Sequence, residues 1–401
     1  MRVTEIETVR LDSHPNILWV RLHTDEGIVG LGETFYGSQA AEAHVHQTIA
    51  PYLLGQDPRD IERHQPHLVG YLGYAGSGAE MRGRSAVDLA LWDILGKSVG
   101  LPLCRLLGGK VRETVRAYNT CAGYSYVQTR PVQGTANFGL GAKQGAYEDL
   151  QGFLTRPDEL AHSLLEMGIG AMKIWPFDYA AEKTGGQYIG AADLKRALEP
   201  FERIRKAVGD RIDIMAELHG LWNRPMAIRI ARELEQFGLL WVEDPVTMDH
   251  MASIGEVARA TRAPIAVGET RGALADYRYL LELDALSLVI TDLSWCGGIS
   301  EARRIASLAS AWHTPVAFHD CSGPVVLAAS THLALHTPNC FIQEMVRAFY
   351  FGWYPEVVEG LPVLRDGELA VSDVPGIGVA LRPEVLARAD CHRRSTQADR
   401  P

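Results

Sequence analysis

RIDIMAELHGLWN, residues 211–223, runs through isoleucine, methionine and alanine into Glu217, Leu218 and His219. Side chains two apart on a strand share a face. Read as a strand, the segment turns Glu217 and His219 the same way and Leu218 the other. Such an end is either a polar rim entering a loop or a place where chemistry is done, and the surrounding sequence decides between them.

The pattern recurs. From about residue 155, short apolar segments (GAMKIW, IDIMAELH, GLLWVED, PIAVGET, SLVITD, PVAFHD, FIQEM) alternate with helical ones such as RPMAIRIARELEQF and ISEARRIASLASAW. Strand–helix alternation predicts a parallel sheet with helical crossovers. These seven strands, with another near residues 115–119, predict an α/β fold closed as a (β/α) barrel. An open doubly wound sheet is the alternative.

Spacing then fixes the site. Glu217, Glu243 and Glu269 lie 26 residues apart, Asp292 follows after 23, His319 after 27 and Glu344 after 25. A barrel of eight units spends about thirty residues on each. Every one of these residues is therefore expected at one height on successive strands, at the C-terminal mouth where barrels carry their chemistry. Three carboxylates gathered there repel one another, and a divalent cation resolves the conflict. An all-oxygen, highly charged set favours Mg²⁺. His319 and Asp292 end adjacent strands, so the carboxylate can fix the imidazole tautomer and make His319 a general base. His219 is expected to face it as a second acid/base group. Lys173 and Trp175, on an earlier strand, are expected to hold a substrate carboxylate and to shape the pocket.

The first part of the chain reads differently. VTEIETVRL and ILWVRLHTDEGIVGLGET alternate apolar and polar residues around a turn at Asp25–Gly27, and the helix SAVDLALWDILGKSVG follows. This predicts an α+β capping domain over residues 1–115, with the barrel over 116–354. Residues 355–401 are expected to fold back and complete the cap, with the polar tail HRRSTQADRP fraying. Residues 120–150 read as a long functional loop. LGETFYGSQA (31–40) and GYLGYAGSGAEMRGR (70–84) are candidate lids, in which Tyr36, Tyr74, Arg82 and Arg84 are within reach of hydroxyls or a distal carboxylate.

Composition limits the alternatives. The chain has 401 residues, 47% hydrophobic and 22% charged, with a formal net charge of −10. No basic excess exists to neutralise phosphates, so a nucleic-acid partner is not expected. No apolar run is long enough to span a bilayer, and MRVTEIETVR does not read as a signal peptide. The six cysteines form no C-x-x-C pair, consistent with reduced thiols in a cytoplasm, where Cys296 and Cys321 near strand ends are placed to line a pocket.

Taken together, Lys173, Glu217, Glu243, Glu269, Asp292, His319 and Glu344 resemble the set carried by the enolase superfamily, mandelate racemase subgroup. WVEDPV, AVGET, TDLSWCGGISEARRIA and FHDCSGP resemble its strand-end motifs, and SAVDLALWDILGK the helix preceding its barrel. The resemblance covers nearly the whole chain. It implies a modified TIM barrel with an N-terminal α+β cap, Mg²⁺ on the three glutamates, the His319–Asp292 pair as base, and Glu344 stabilising a substrate carboxylate oxygen. Two positions depart from it. Trp175 stands where racemases of the subgroup carry the second lysine of Lys-x-Lys. Glu217–Leu218–His219 is similar to the acid-x-His pair of the galactonate dehydratase type, in which the acid is usually Asp. The resemblance therefore implies an Mg²⁺-dependent sugar acid dehydratase acting on an aldonate or aldarate, a small carboxylate, in a homo-oligomer. An epimerase or cycloisomerase is the alternative, and a metal-binding barrel with a binding or regulatory role and little turnover is the reading from another class.

Overall fold

Period-two patterning at the N-terminus becomes an antiparallel sheet. In this computed structural model, which describes residues 1–69, 76–128 and 134–398, the sheet is built from β1 (Val3–Leu11), β2 (His14–Thr24) and β3 (Val29–Phe35). Gly27, with φ +77°, makes the turn between β2 and β3. The helix Ala79–Val99 lies on this sheet. A Cβ at Gly32 would sit 1.8 Å from the Ala86 carbonyl oxygen, and one at Gly30 2.2 Å from that of Ala90, so V-G-L-G is the surface against which the helix beds. The helix is buried almost all round because its other side meets the barrel. Arg84 donates to Glu301 at 3.1 Å, and both Ser300 and Trp92 tie into the same contact through Asp88 and Ser300 Oγ.

The barrel closes as expected. Strands β4 (Val115–Thr120), β5 (Ala171–Ile174), β6 (Asp213–Glu217), β7 (Trp241–Glu243), β8 (Ile265–Val267), β9 (Leu288–Thr291), β10 (Val316–Phe318) and β11 (Cys340–Met345) pair in chain order, all parallel, and β11 pairs back onto β4. Its interior is packed by Tyr118, Met215, Trp241, Leu288, Ile290 and Ile342, with alanines at 171, 266 and 317 making room. Tyr118 meets Trp241 edge-on at 5.4 Å. This plug gives the strand ends a rigid floor.

Cap and barrel share a buried carboxyl. Glu33 of β3 accepts from the Val325 and Val326 amides at 3.0 and 2.9 Å and from Trp19 Nε1 at 2.7 Å. It thereby caps the helix Pro324–His336, which follows β10. Burial pushes this carboxyl up to about 8 against those donors.

The C-terminal segment departs from expectation in two ways. Cys391–Gln397 is a strand paired antiparallel with β1, from Glu5–Gln397 to Leu11–Cys391, rather than a frayed tail. A polar sequence suffices there because an edge strand needs backbone partners more than apolar side chains, and Arg393 joins Arg21 in pairing with the buried Glu7. In addition, the hairpin Val363–Arg365/Glu368–Ala370 adds to β4, so part of the return packs on the barrel. No helix among the described residues is long and apolar enough to cross a membrane.

Candidate active site at the barrel mouth

Glu217 and Glu243 are the last residues of β6 and β7 and face each other in register. Glu269 stands two residues beyond β8. Gly268 lets the chain turn there at φ +132°, where a Cβ would lie 2.4 Å from the Ile290 carbonyl. One carboxylate oxygen of each glutamate lies within 4.8 Å of the others. Lys173, at the mouth end of β5, reaches into the same space: its Nζ lies 2.6 Å from Glu243, 3.1 Å from Glu344, 3.4 Å from Glu217 and 4.0 Å from Glu269. Burial opposes its charge, but these carboxylates hold the ammonium well above the usual lysine range. Burial and the neighbouring Glu217 push Glu243 up, while Trp241 Nε1 donates to it at 2.7 Å.

One ammonium does not neutralise four carboxylates, three of them buried. Among the described residues Glu217 Oε2, buried and 3.4 Å from Lys173 Nζ, accepts no hydrogen bond, while Oε1 is engaged by the His219 amide at 2.6 Å. An all-oxygen donor set with excess negative charge and a free lone pair fits a hard divalent cation. Glu217, Glu243 and Glu269 are the residues that would hold it.

The second part of the site is an imidazole pair. His319 Nδ1 lies 2.6 Å from Asp292 Oδ2. Asp292 also accepts from the Ser294 amide and hydroxyl, both at 2.6 Å, and from Ser322 Oγ at 2.5 Å, so it is fixed as an acceptor. His319 Nε2 points into the cavity, 3.1 Å from Glu269 and 3.6 Å from Glu344. Burial opposes protonation of His319, yet Glu344, Glu269 and Asp292 raise its basicity well above the usual histidine range. Glu344 accepts from Thr120 Oγ1 and from the Asp320 amide; burial is outweighed by His319 and Lys173, which hold its carboxyl low.

His219 reaches the site by a different route from the one its spacing predicts. β6 ends at Glu217, and His219 has φ +51°, a left-handed conformation beyond the strand. The turn buries Leu218 fully and still aims the imidazole into the cavity. His219 Nδ1 lies 2.9 Å from Asp178 Oδ2. Burial disfavours the imidazolium, but Asp178, then Glu217 and Glu269, raise it to about 9. The site thus holds two imidazole–aspartate pairs. The sequence reading missed Asp178, which starts a short helix after β5, and Thr120 at the end of β4. Only an Asp just past a barrel strand hinted at the former.

A cavity of about 620 Å³ joins these groups. Trp175 lines it, packs edge-on to His219 at 5.8 Å and against Tyr126 and Phe153, and its buried Nε1 has no partner among the described residues. Of the candidate lid residues, Tyr36 and Arg82 line the cavity, Arg84 is spent on Glu301, and Tyr74 lies outside the described residues. Cys321 lines the cavity, whereas Cys296 is buried and is not among the residues lining it; burial pushes both thiols well up. All six cysteines are free. The long loop contributes Tyr126 and Val127 to the wall.

Comparison with known proteins agrees with this architecture. Residues 6–108 match the mandelate racemase/muconate lactonizing enzyme N-terminal domain, and residues 157–385 match the enolase C-terminal domain-like family. The chain is 30% identical to D-xylonate dehydratase of Haloferax volcanii over 381 residues, covering 94% of this chain and 86% of that protein. It is 31% identical to D-galactonate dehydratase of Pectobacterium atrosepticum, covering 96% and 94%. Among solved structures, an enolase of the mandelate racemase subgroup from Agrobacterium tumefaciens superposes with a TM-score of 0.88 at 49% identity, covering 99% of each chain. An enolase protein from a Sargasso Sea environmental genome gives 0.88 at 41% identity, covering 100% of each.

Proposed function

The chain belongs to the mandelate racemase subgroup of the enolase superfamily, and from that premise we propose that it is a sugar acid dehydratase, a hydro-lyase that abstracts the C2 proton of an aldonate or aldarate and eliminates the C3 hydroxyl. The observation that carries this reading is the pair of imidazoles, His319 and His219, each backed by an aspartate and both lining one cavity with Glu217 and Glu269 of the acidic trio. Relatives named D-xylonate and D-galactonate dehydratase support the reaction class.

The difficulty of the reaction lies in the first proton. Removing it places a second negative charge on a substrate that is already an anion. When bound by Glu217, Glu243 and Glu269, Mg²⁺ would supply positive charge against that build-up. The protein's own groups do the rest. Asp292 keeps a proton on His319 Nδ1, which leaves Nε2 to take the C2 hydrogen. Lys173, held as an ammonium, stabilises negative charge beside Glu344. Glu344, an anion between Lys173 and His319, accepts from Thr120 Oγ1 and the Asp320 amide and holds the Lys173 ammonium in position beside the base. His219, kept protonated at neutral pH by Asp178, gives its proton to the C3 hydroxyl, which departs as water. The enol left behind tautomerises to a 2-keto-3-deoxy acid. Trp175 cannot accept a proton; its apolar face screens His219 from solvent. A racemase route through a second lysine lacks its residue at 175, and Lys173 is committed to four carboxylates.

The test is incubation of a panel of aldonates and aldarates with the purified protein and Mg²⁺, with keto acid trapped by semicarbazide. Keto acid that disappears with EDTA and with H319N is expected. Recovered acid carrying deuterium at C2 from D₂O, with no keto acid, would replace this reading by epimerisation.

A further inference from the structure

Four basic side chains line the cavity: Lys173, His219, His319 and Arg82. Lys173 is paired with glutamates, and the two histidines with aspartates. Arg82 differs. Among the described residues no carboxylate lies within ion-pair distance of it, and its buried Nε makes no hydrogen bond. Its guanidinium instead stacks 4.0 Å above the Trp295 ring, which follows β9. Tyr36 stands edge-on to the same ring at 6.1 Å, with a buried hydroxyl that also lacks a partner. Burial pulls the Arg82 guanidinium below its usual range.

Glu80 and Asp292 act on it only from beyond ion-pair distance, and a guanidinium taken partly out of water with no carboxylate in contact among the described residues is costly, so proteins seldom keep one without use. Its backing is built. Tyr36 has φ +65° and Gly37 φ +64°, two consecutive left-handed residues at the end of β3 that bring the phenol and Gly37 against Arg82. Strain of this kind at a non-glycine residue is kept where the surroundings enforce it. Planar stacking on Trp295 fixes the donor fork while leaving its in-plane N–H groups open. A carboxylate is the partner that fork matches.

We propose that Arg82, supported by Tyr36 and Trp295, is the receptor for a second carboxylate at the far end of the substrate, so that the natural substrate is an aldarate and not an aldonate. The inference rests on the dehydratase reading for which end of the substrate reacts. It departs from the two relatives whose names specify aldonates.

The test separates binding from turnover. The H319N protein, loaded with Mg²⁺, is titrated calorimetrically with galactarate against galactonate, glucarate against gluconate, and xylarate against xylonate. At least one diacid binds about 10- to 100-fold tighter than its matched monoacid, the gain expected from charge-assisted hydrogen bonds. Adding R82Q removes that margin, and R82K, which also covers the case where R82Q fails to fold, keeps part of it. Equal affinities within every pair, a margin that survives R82Q, or no binding by any of the six overturns the proposal. Keto-acid formation by the wild-type protein is scored separately. Turnover of aldonates with no diacid preference removes this inference and leaves the dehydratase reading. Diacid binding through Arg82 without keto acid from any acid does the reverse.

Discussion

Consider the replacement of Glu217 by glutamine. Glu217 Oε1 accepts the His219 amide, whereas Oε2 is buried and accepts no hydrogen bond among the described residues. Glutamine preserves the first contact through its carbonyl oxygen and so keeps the turn that presents His219. It removes the charge and replaces Oε2, which lies 3.4 Å from Lys173 Nζ, by an amide nitrogen, which cannot ligate a hard cation. A ligand bound only by the folded state adds about 2.7 kcal/mol at a hundred times its Kd. Unfolding entropy near 2.1 cal/mol/K per residue, over 401 residues, gives about 0.8 kcal/mol/K, so the melting midpoint should rise by about 3 °C. The assay is differential scanning calorimetry in EDTA and across a Mg²⁺ titration. Wild type should show the rise, and so should Glu282→Gln, whose carboxylate is on the surface beside Arg278. Glu217→Gln should show less than about a third of it. A wild-type midpoint indifferent to both Mg²⁺ and Mn²⁺, or an equal rise in Glu217→Gln, would refute the assignment of these glutamates to a metal.

Further outcomes are expected elsewhere. Asp292→Asn should lower kcat by about 10³- to 10⁴-fold with little change in KM, because an amide donating toward His319 Nδ1 forces the proton onto Nε2; a loss under tenfold would argue against His319 as the base. Asp178→Asn removes the first of the carboxylates that raise His219 to about 9, so the alkaline limb of the pH–rate profile should move toward neutrality and kcat at pH 8 should fall by about 10²-fold. An unshifted limb would assign the acid role to another group. His332 sits buried between the Cys104 amide and the Ile377 carbonyl, and burial lowers it to about 4. Its folded-state value lies below the unfolded one near 6.5, so the neutral ring contributes stability above pH 6.5 and loses it as pH falls toward 4, by about 3 kcal/mol. Urea unfolding at pH 7 and 4.5 should show His332→Gln with a smaller acid-induced loss than wild type.

The barrel and most of its site were legible because one β/α unit has a nearly constant length. That constancy turned Glu217, Glu243 and Glu269 into neighbours on paper, and they are neighbours in space. The same logic reached His319 and Asp292. It reached His219 with the wrong local reason, because strand alternation ended two residues earlier and a left-handed turn took over; no periodicity encodes such a turn outside glycine. Asp178 and Thr120 were illegible, since they lie 41 and 224 residues from the partners they bond. The polar C-terminus read as loose for a similar reason: its order comes from backbone pairing with β1, which leaves no mark in side-chain patterning.

That last pairing bears on how the molecule is made. The strand adjoining β1 leaves the ribosome some 380 residues after β1 itself, as the pairing of Leu11 with Cys391 requires. Throughout translation β1 is therefore a bare sheet edge, the kind of surface that invites association with other nascent chains. Fusion partners or purification tags placed directly at the C-terminus would load this late-arriving strand. Yield and aggregation, more than catalysis, are where such handling would be felt.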